Sequence, residues 1–170
     1  MAYDPSYAQY IDHTVLKADT TQETLLRFCS EAKQYHFASV CVNPCNVAFV
    51  ARQLEGSGVK TAAVVGFPLG ANKTGIKAAE AREAIADGAS EIDMVINIGR
   101  LKNKEYDAVR EDIRAVKQAV GDKILKVIIE TCLLTDEEKE TMCDIVCEAG
   151  ADYIKTSTGF STAGANFHDV

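Results

Sequence analysis

Short apolar runs, rich in β-branched residues, alternate along the chain with longer amphipathic stretches. Each run is only five to seven residues long and apolar almost throughout, as expected of strands buried on both faces. Strands that alternate with helices predict a parallel sheet covered by helices. The six predicted strands are Ile11–Leu16, Ala38–Val42, Thr61–Phe67, Glu91–Asn97, Ile124–Glu130 and Ala151–Lys155.

The stretches between the runs carry helix signals. Thr20 and Glu23 form a predicted capping box, and Thr135 and Glu138 form a second one. Gly99 is expected to close the fourth strand before a long helix that runs to about residue 120. The predicted apolar stripes include Leu25, Leu26, Cys29 and Ala32 in the first helix, and Ile76, Ala79, Ala81, Ala84 and Ile85 in the third.

The turn after the first strand argues against a dinucleotide-binding sheet. It reads Lys17-Ala-Asp-Thr-Thr21, without the G-x-G-x-x-G fingerprint. Polar residues instead recur at the carboxyl ends of successive strands, where barrel enzymes build their sites. The sequence therefore predicts an α/β fold, a parallel (β/α)8 barrel of TIM type. The strand-end residues are Asp12 and Thr14, Cys41 and Asn43, Asp93 and Asn97, Glu130 and Thr131, and Lys155 and Thr156.

The length of 170 residues predicts one domain, residues 1–170. Eight barrel units usually need about 250 residues, and about six units are counted here. We therefore expect two more strands and up to three helices beyond Val170. A chain that ended at Val170 would leave its first and sixth strands as open edges, which favours pairing with another chain or low stability.

Composition restricts the partners. The net charge is −7 and no Lys/Arg-rich run occurs, so nucleic acid is not an expected partner. No apolar stretch approaches the roughly 20 residues of a membrane helix, and the first residues lack signal-peptide features. A cytosolic protein is expected, with no membrane partner.

Cysteines and histidines do not predict a metal site. The spacings Cys41-x-x-x-Cys45 and Cys143-x-x-x-Cys147 are not C-x-x-C pairs, and the three histidines lie far apart. In a cytosolic protein we expect the cysteines to be small buried apolar residues. Neither a metal nor another cofactor is predicted. The six cysteines are Cys29, Cys41, Cys45, Cys132, Cys143 and Cys147.

Lys155 is the main candidate nucleophile because it ends a predicted buried strand. Burial disfavours the ammonium form, which frees an amine for imine formation; the alternative is a lysine that reaches into solvent. Asp93 suits a proton relay or an ion pair with a lysine. Lys126 is a structural partner of Asp93 or a second electrostatic group, and structural and direct roles stay open for Glu130 and Thr131. The hydroxyl-rich loop Thr156–Phe160 offers N–H groups to an oxyanion or phosphate.

Several segments resemble deoxyribose-phosphate aldolases, in the order of that family. They are Ile11–Leu16, Ser39–Pro44, Gly66–Asn72, Glu91–Val95, Leu125–Thr131 and Ala151-Asp-Tyr-Ile-Lys-Thr-Ser-Thr-Gly-Phe160. The resemblance implies that 2-deoxy-D-ribose 5-phosphate is cleaved reversibly to acetaldehyde and D-glyceraldehyde 3-phosphate, without metal or cofactor. As a partner we expect a second copy of the chain, in a dimer or an edge-paired assembly. The implied catalytic residues are Lys155 (imine), Asp93 (proton relay) and Lys126 (beside the relay), and the implied substrate-binding residues are Asp12, Thr14, Cys41, Thr158 and Gly159.

The sequence departs from the family in two respects. The family's second active-site lysine, on the seventh strand, and its phosphate loops after strands seven and eight are not in this sequence. Ala163 and Asn166 stand where Gly and Thr are expected. Two alternatives therefore stay open: a folded but inactive fragment of such an enzyme, and another phosphate-handling barrel enzyme such as an epimerase.

Overall fold

The predicted alternation of strands and helices is confirmed by the computed structural model, which describes residues 5–170. The strands are Asp12–Val15 (β1), Ser39–Val42 (β2), Lys60–Val65 (β3), Glu91–Val95 (β4), Ile124–Ile128 (β5) and Tyr153–Lys155 (β6). The helices are Gln22–Tyr35 (α1), Val47–Leu54 (α2), Thr74–Ala86 (α3), Ile98–Lys102 (α4), Tyr106–Val120 (α5) and Asp136–Glu148 (α6). Short 3-10 helices cover Pro5–Tyr10, Pro44–Asn46, Thr131–Leu133 and Phe167–Asp169.

The strand order in the sheet is the order along the chain, β1 to β6. β1 pairs with β2, β2 with β3 and β5 with β6, all in parallel. Every residue of β2 and β4 is buried, as expected for strands covered on both faces. The sixth strand differs, because Tyr153 and Ile154 are 57% and 42% exposed. Within the described residues β6 has only β5 as a neighbour, so the expectation that the sixth strand is an open edge is confirmed. The burial assumed for this strand in the choice of Lys155 is not present.

The chain divides into two compact units, residues up to 64 with 83–91, and residues 65–82 with 92–170. In the first unit, α1 packs on β1, β2 and α2. His13 of β1 lies there against Phe28, with ring centroids 4.1 Å apart, and its Nε2 is 2.7 Å from Glu31. In the second unit, α5 packs on β5 and α6, and α6 packs on β6.

Helix α1 begins one residue later than the predicted capping box requires. The Thr20 hydroxyl donates to the Lys17 carbonyl at 2.7 Å, and the Thr21 hydroxyl accepts from the Thr24 N–H instead. Glu23 therefore stands one position too early to complete the box. In α6 the predicted capping box of Thr135 and Glu138 is confirmed, with both reciprocal hydrogen bonds present.

Other local predictions are wrong for reasons of packing. Leu26 is 46% exposed because the buried stripe of α1 is Leu25, Cys29 and Ala32. Ile76 of α3 is also exposed, at 56%. Gly99 does not close a strand but lies inside the short helix α4, which Asn97 caps by accepting from the Arg100 N–H at 3.1 Å.

The prediction that the cysteines are buried holds for only two of the six. Cys29 and Cys41 are buried and Cys132 is half-buried, whereas Cys45, Cys143 and Cys147 are exposed. Cys143 and Cys147 do share a helix, as their spacing predicts, but the buried residues of α6 are Met142, Ile145 and Val146. The face of α6 that packs against the core is therefore not the face that carries Cys143 and Cys147.

A buried ion pair links α3 to α5 in the second unit. Lys77 is fully buried, and its Nζ donates to Asp112 Oδ2 at 2.6 Å and to the Val95 carbonyl at 2.8 Å. Burial lowers the pKa of the Lys77 amine, and the Asp112 carboxylate opposes that shift. Because Val95 is the last residue of β4, the lysine ties helix α3 to the carboxyl end of this strand.

Lys77→Met is expected to lower the free energy of unfolding by about 3–5 kcal/mol, because it leaves the Asp112 carboxylate buried without its cation. Replacing both partners, with Lys77→Met and Asp112→Leu together, should recover at least half of that loss. Urea unfolding of the two variants beside the parent chain measures both values. A single variant as stable as the parent, or a double variant no better than the single, would contradict this view of the pair.

Candidate active site

Asp93 is the centre of a cluster of charged groups in the second unit. It lies in the middle of β4, where its side chain is 1% exposed. A carboxylate this deep in a protein requires cations or hydrogen-bond donors around it. Lys155 supplies one, donating from Nζ to Asp93 Oδ2 at 2.5 Å. Lys126 supplies another, with its Nζ 3.3 Å from Asp93 Oδ1 in ion-pair contact but outside hydrogen-bond geometry.

The two lysines stand at different heights on neighbouring strands. In the parallel register Ile128 pairs with Lys155, and Lys126 pairs with Tyr153. Lys126 is therefore two residues, about 6.6 Å, nearer the start of its strand. Its side chain is 12% exposed and that of Lys155 is 34% exposed. The Lys155 amine is thus paired with Asp93, on a side chain that is partly open to solvent.

The positions of Asp93, Lys126 and Lys155 agree with ion pairing between the carboxylate and the two amines. Asp93 is an ion-pair partner of both lysines. Lys126 lies beside Asp93, as predicted if it is the structural partner of that carboxylate. Lys155 does not simply extend into solvent, because its amine is held against a buried carboxylate.

The loop after β6 is held by the end of β5. The Ile129 N–H donates to the Lys155 carbonyl at 3.0 Å, and the Thr131 N–H donates to the Thr156 carbonyl at 2.9 Å. Glu130, between them, accepts hydrogen bonds from both the N–H and the hydroxyl of Thr158. Gly159 follows with φ of 78°, a left-handed conformation that suits glycine.

The remaining predicted binding residues lie in the first unit. Asp12 and Thr14 are on β1, and Cys41 of β2 pairs directly with Thr14 in the register. Asp12 Oδ1 accepts from the Ser39 hydroxyl at 2.7 Å, and Thr14 is exposed with its hydroxyl bonded to the Asp12 carbonyl at 2.9 Å. Cys41 is buried. These three residues therefore form a group of neighbours on two adjacent strands.

Sequence reasoning missed two features of the second unit. The first is Lys77, which the amphipathic pattern of α3 places among ordinary helix residues. The second is an edge-to-face contact between Phe67 and Phe160, whose ring centroids are 5.1 Å apart. Phe67 follows β3 and Phe160 follows β6, so no spacing rule within either segment indicates that they meet.

No group of three or more His, Cys, Asp or Glu side chains among residues 5–170 has the geometry of a metal site. In the same described range, no helix is long and apolar enough to cross a membrane. The charged cluster consists instead of one carboxylate and two amines. Such a set can form an imine on an amine and move protons through the carboxylate.

Comparison with known proteins identifies the family. Residues 6–170 match the family described as DeoC/LacD family aldolase. The chain belongs to this family. It is 60% identical over 162 residues to the deoxyribose-phosphate aldolase of Streptococcus suis, and 58% identical over 163 residues to that of Clostridium tetani. Both alignments cover 95% of this chain.

Solved structures of the family confirm the predicted fold class. A candidate deoxyribose-phosphate aldolase from Coccidioides immitis superposes with a TM-score of 0.96 at 46% identity over 97% of this chain. A deoxyribose phosphate aldolase from Aeropyrum pernix, described as a unique tetrameric structure, gives 0.85 at 31% identity over 94% of this chain. The fold is therefore the parallel TIM-type α/β fold of these aldolases, and the family is one of lyases.

Family members are longer than this sequence. The chain spans 74% and 76% of the length of the two curated relatives, and 65% and 68% of the two solved chains. The matched part contains Lys155, Asp93 and Lys126.

Proposed function

We propose that the full-length protein containing this sequence cleaves 2-deoxy-D-ribose 5-phosphate reversibly to acetaldehyde and D-glyceraldehyde 3-phosphate. The observation that carries the proposal is the 2.5 Å contact between the Lys155 amine and the buried Asp93 carboxylate. An amine that is accessible and touches a proton acceptor is the arrangement that imine chemistry needs. The names of the relatives support this choice of substrate.

The reaction begins at the aldehyde carbon of the open-chain sugar. The neutral Lys155 amine attacks this carbon, the carbonyl oxygen takes up protons and leaves as water, and a protonated imine forms. The imine withdraws the electron pair of the bond between C2 and C3. That bond breaks as the C3 hydroxyl loses its proton, giving glyceraldehyde 3-phosphate and an enamine. Protonation of the enamine carbon and addition of water release acetaldehyde and the free lysine.

Asp93 moves protons in this scheme. Its Oδ2 lies at hydrogen-bond distance from the reacting nitrogen, so it can accept a proton from the amine and return one to the departing water. Lys126 holds the other oxygen of the same carboxylate from the neighbouring strand. We assign Lys126 the role of fixing the orientation of Asp93 beside the imine.

Substrate binding is assigned from the family resemblance and stays a prediction for each residue. Asp12, Thr14 and Cys41 are proposed to contact the sugar, and so are Thr158 and Gly159 of the loop after β6. Thr158 and Gly159 are on the loop that directly follows the imine lysine, which supports their assignment. The phosphate donors proposed for the family lie after strands seven and eight, beyond the present sequence.

We further propose that the protein acts in the cytosol as an assembly of identical subunits. The tetrameric description of the Aeropyrum pernix relative supports an assembly, and the expected dimer remains a separate prediction. Light scattering of the purified protein measures the number of subunits.

A turnover assay with a chelator arm tests the proposed function. The full-length protein is incubated with 2-deoxyribose 5-phosphate with or without EDTA, the reaction is quenched, and the acetaldehyde formed is measured as its hydrazone, so that no zinc-dependent coupling enzyme is present. We expect turnover of the phosphorylated sugar at a rate that EDTA leaves unchanged. In an imine mechanism the protonated imine accepts the electron pair, a role that a metal ion fills in metal-dependent aldolases. Loss of activity with EDTA and its return with zinc would contradict the imine mechanism. Isomerisation of a sugar phosphate without acetaldehyde would favour the epimerase alternative.

A further inference from the structure

Glu130 has a backbone conformation that is unusual for a buried residue with a side chain. It directly follows Ile129 at the end of β5, with φ of 56° and ψ of 65° in the left-handed region. This region is costly for residues other than glycine and persists where surrounding contacts enforce it. His36 and Lys104 are the other described residues of this kind, and both are exposed. Glu130 is only 3% exposed.

The contacts of Glu130 explain what enforces this conformation. One carboxylate oxygen accepts from the Thr158 N–H at 3.2 Å, and the other accepts from the Thr158 hydroxyl. The Thr158 hydroxyl oxygen in turn accepts from the Phe160 N–H at 3.0 Å. The buried carboxylate thus holds a chain of hydrogen bonds that reaches two residues further along the loop.

Glu130 also lies between the two backbone hydrogen bonds that fix the imine lysine. The N–H groups on either side of it, of Ile129 and Thr131, donate to the carbonyls of Lys155 and Thr156. A residue in this position controls the path of the chain on both sides of the reactive side chain. The backbone bonds set the height of Lys155, and the Glu130 side chain sets the direction in which the loop leaves it.

We propose that Glu130 is a positioning residue for the imine lysine and for the substrate-binding loop 156–160, a role that rests on the proposed function. Its left-handed backbone turns the carboxylate towards Thr158, and the carboxylate orients both donors of that residue. Thr158 then has no donor left for a substrate. Its hydroxyl oxygen, which already accepts from Phe160, presents one remaining lone pair to a substrate hydroxyl.

A series of substitutions at Glu130 separates positioning from folding. Glu130→Gly removes the carboxylate but accepts the left-handed backbone without strain, whereas Glu130→Ala removes the carboxylate and retains the strain. Glu130→Gln keeps one acceptor oxygen of the two. The matched control is Lys104→Gly, which makes the same backbone change at an exposed residue with φ of 61°.

Two readouts apply to the full-length protein and its variants. The first is the initial rate at which borohydride traps acetaldehyde on Lys155. We expect it to fall roughly 10- to 100-fold in both Glu130→Gly and Glu130→Ala, the cost of a misplaced reacting group. Glu130→Gln should be intermediate, and Lys104→Gly should match the parent. The melting temperature of Glu130→Gly should be higher than that of Glu130→Ala, because glycine accepts the left-handed backbone without strain. The trapping rates of the two variants should nevertheless be equally low.

The second readout is hydrogen exchange of peptides that cover residues 156–160. Exchange of the Thr158 and Phe160 amides should speed up at least tenfold in Glu130→Gly and remain unchanged in Lys104→Gly. A trapping rate in Glu130→Gly within twofold of the parent would overturn the inference, and so would rates that follow thermal stability across the series. If borohydride does not trap acetaldehyde on Lys155 of the parent protein, the proposed function fails. The role of Glu130 is tested separately, because unchanged amide hydrogen exchange of loop 156–160 in Glu130→Gly would overturn it.

Discussion

Replacing Lys155 by alanine in the full-length protein is expected to abolish turnover of 2-deoxyribose 5-phosphate. Lys126 is not expected to replace it as the imine-forming group, because Lys126 lies two residues nearer the start of its strand and its side chain is only 12% exposed. We expect kcat to fall at least about 10⁴-fold, because the substitution removes the nucleophile that forms the covalent intermediate. A spectrophotometric acetaldehyde assay measures it.

The matched control for this substitution is Lys102→Ala. Lys102 is also a lysine of the second unit with a carboxylate partner, Glu138, at 2.6 Å. Its side chain is 40% exposed and its carboxylate partner is Glu138 rather than Asp93, so its loss should leave turnover unchanged. Unchanged turnover in the Lys155 variant, or borohydride trapping on Lys126 in its place, would reject Lys155 as the nucleophile.

Replacing Asp93 by asparagine is expected to lower kcat by roughly 10²–10⁴-fold, the usual range for a general acid–base group. Asparagine has nearly the same shape, and its carbonyl oxygen can still accept from an amine, but its amide cannot take up a proton. Folding should be largely retained because Lys155 is 34% exposed and its charge can be hydrated. Steady-state kinetics, with circular dichroism to check folding, measure both effects.

Asp152→Asn is the control for the change at Asp93. Asp152 also pairs with a lysine of the second unit, Lys117, at 2.7 Å, and accepts from the Leu125 N–H. Its substitution should leave kcat unchanged. An Asp93 variant that fails to fold would assign Asp93 a structural ion-pair role, and one with full activity would remove it from the mechanism.

The sequence predicted the fold well because the period of its apolar residues differs between strands and helices. All six strands and the five predicted helices are found within a few residues of the predicted bounds, whereas the short helix α4 was not predicted. The errors occur where one local signal competes with another. Thr20 fails as a cap because its hydroxyl bonds to Lys17, and Cys143 is exposed because α6 buries Met142 and Ile145.

The candidate site was predictable in part from strand alternation. Alternation within β4 separates Asp93 from Ile92 and Met94, and the neighbouring strands β5 and β6 supply Lys126 and Lys155, with Lys155 at the end of its strand and Lys126 in the middle of its own. The contacts of Glu130 were not predictable, since a left-handed backbone at a glutamate has no local sequence signal. The burial of Lys77 likewise depends on Asp112, which lies 35 residues away along the chain.

The most direct test of the central claim is to identify the residue that carries the imine. The full-length protein is incubated with acetaldehyde, reduced with borohydride, digested and mapped by mass spectrometry. The account predicts one ethyl group on Lys155, within the peptide that contains Thr156, and none on Lys126. An adduct on another lysine, or no adduct in a protein that still cleaves 2-deoxyribose 5-phosphate, would contradict it.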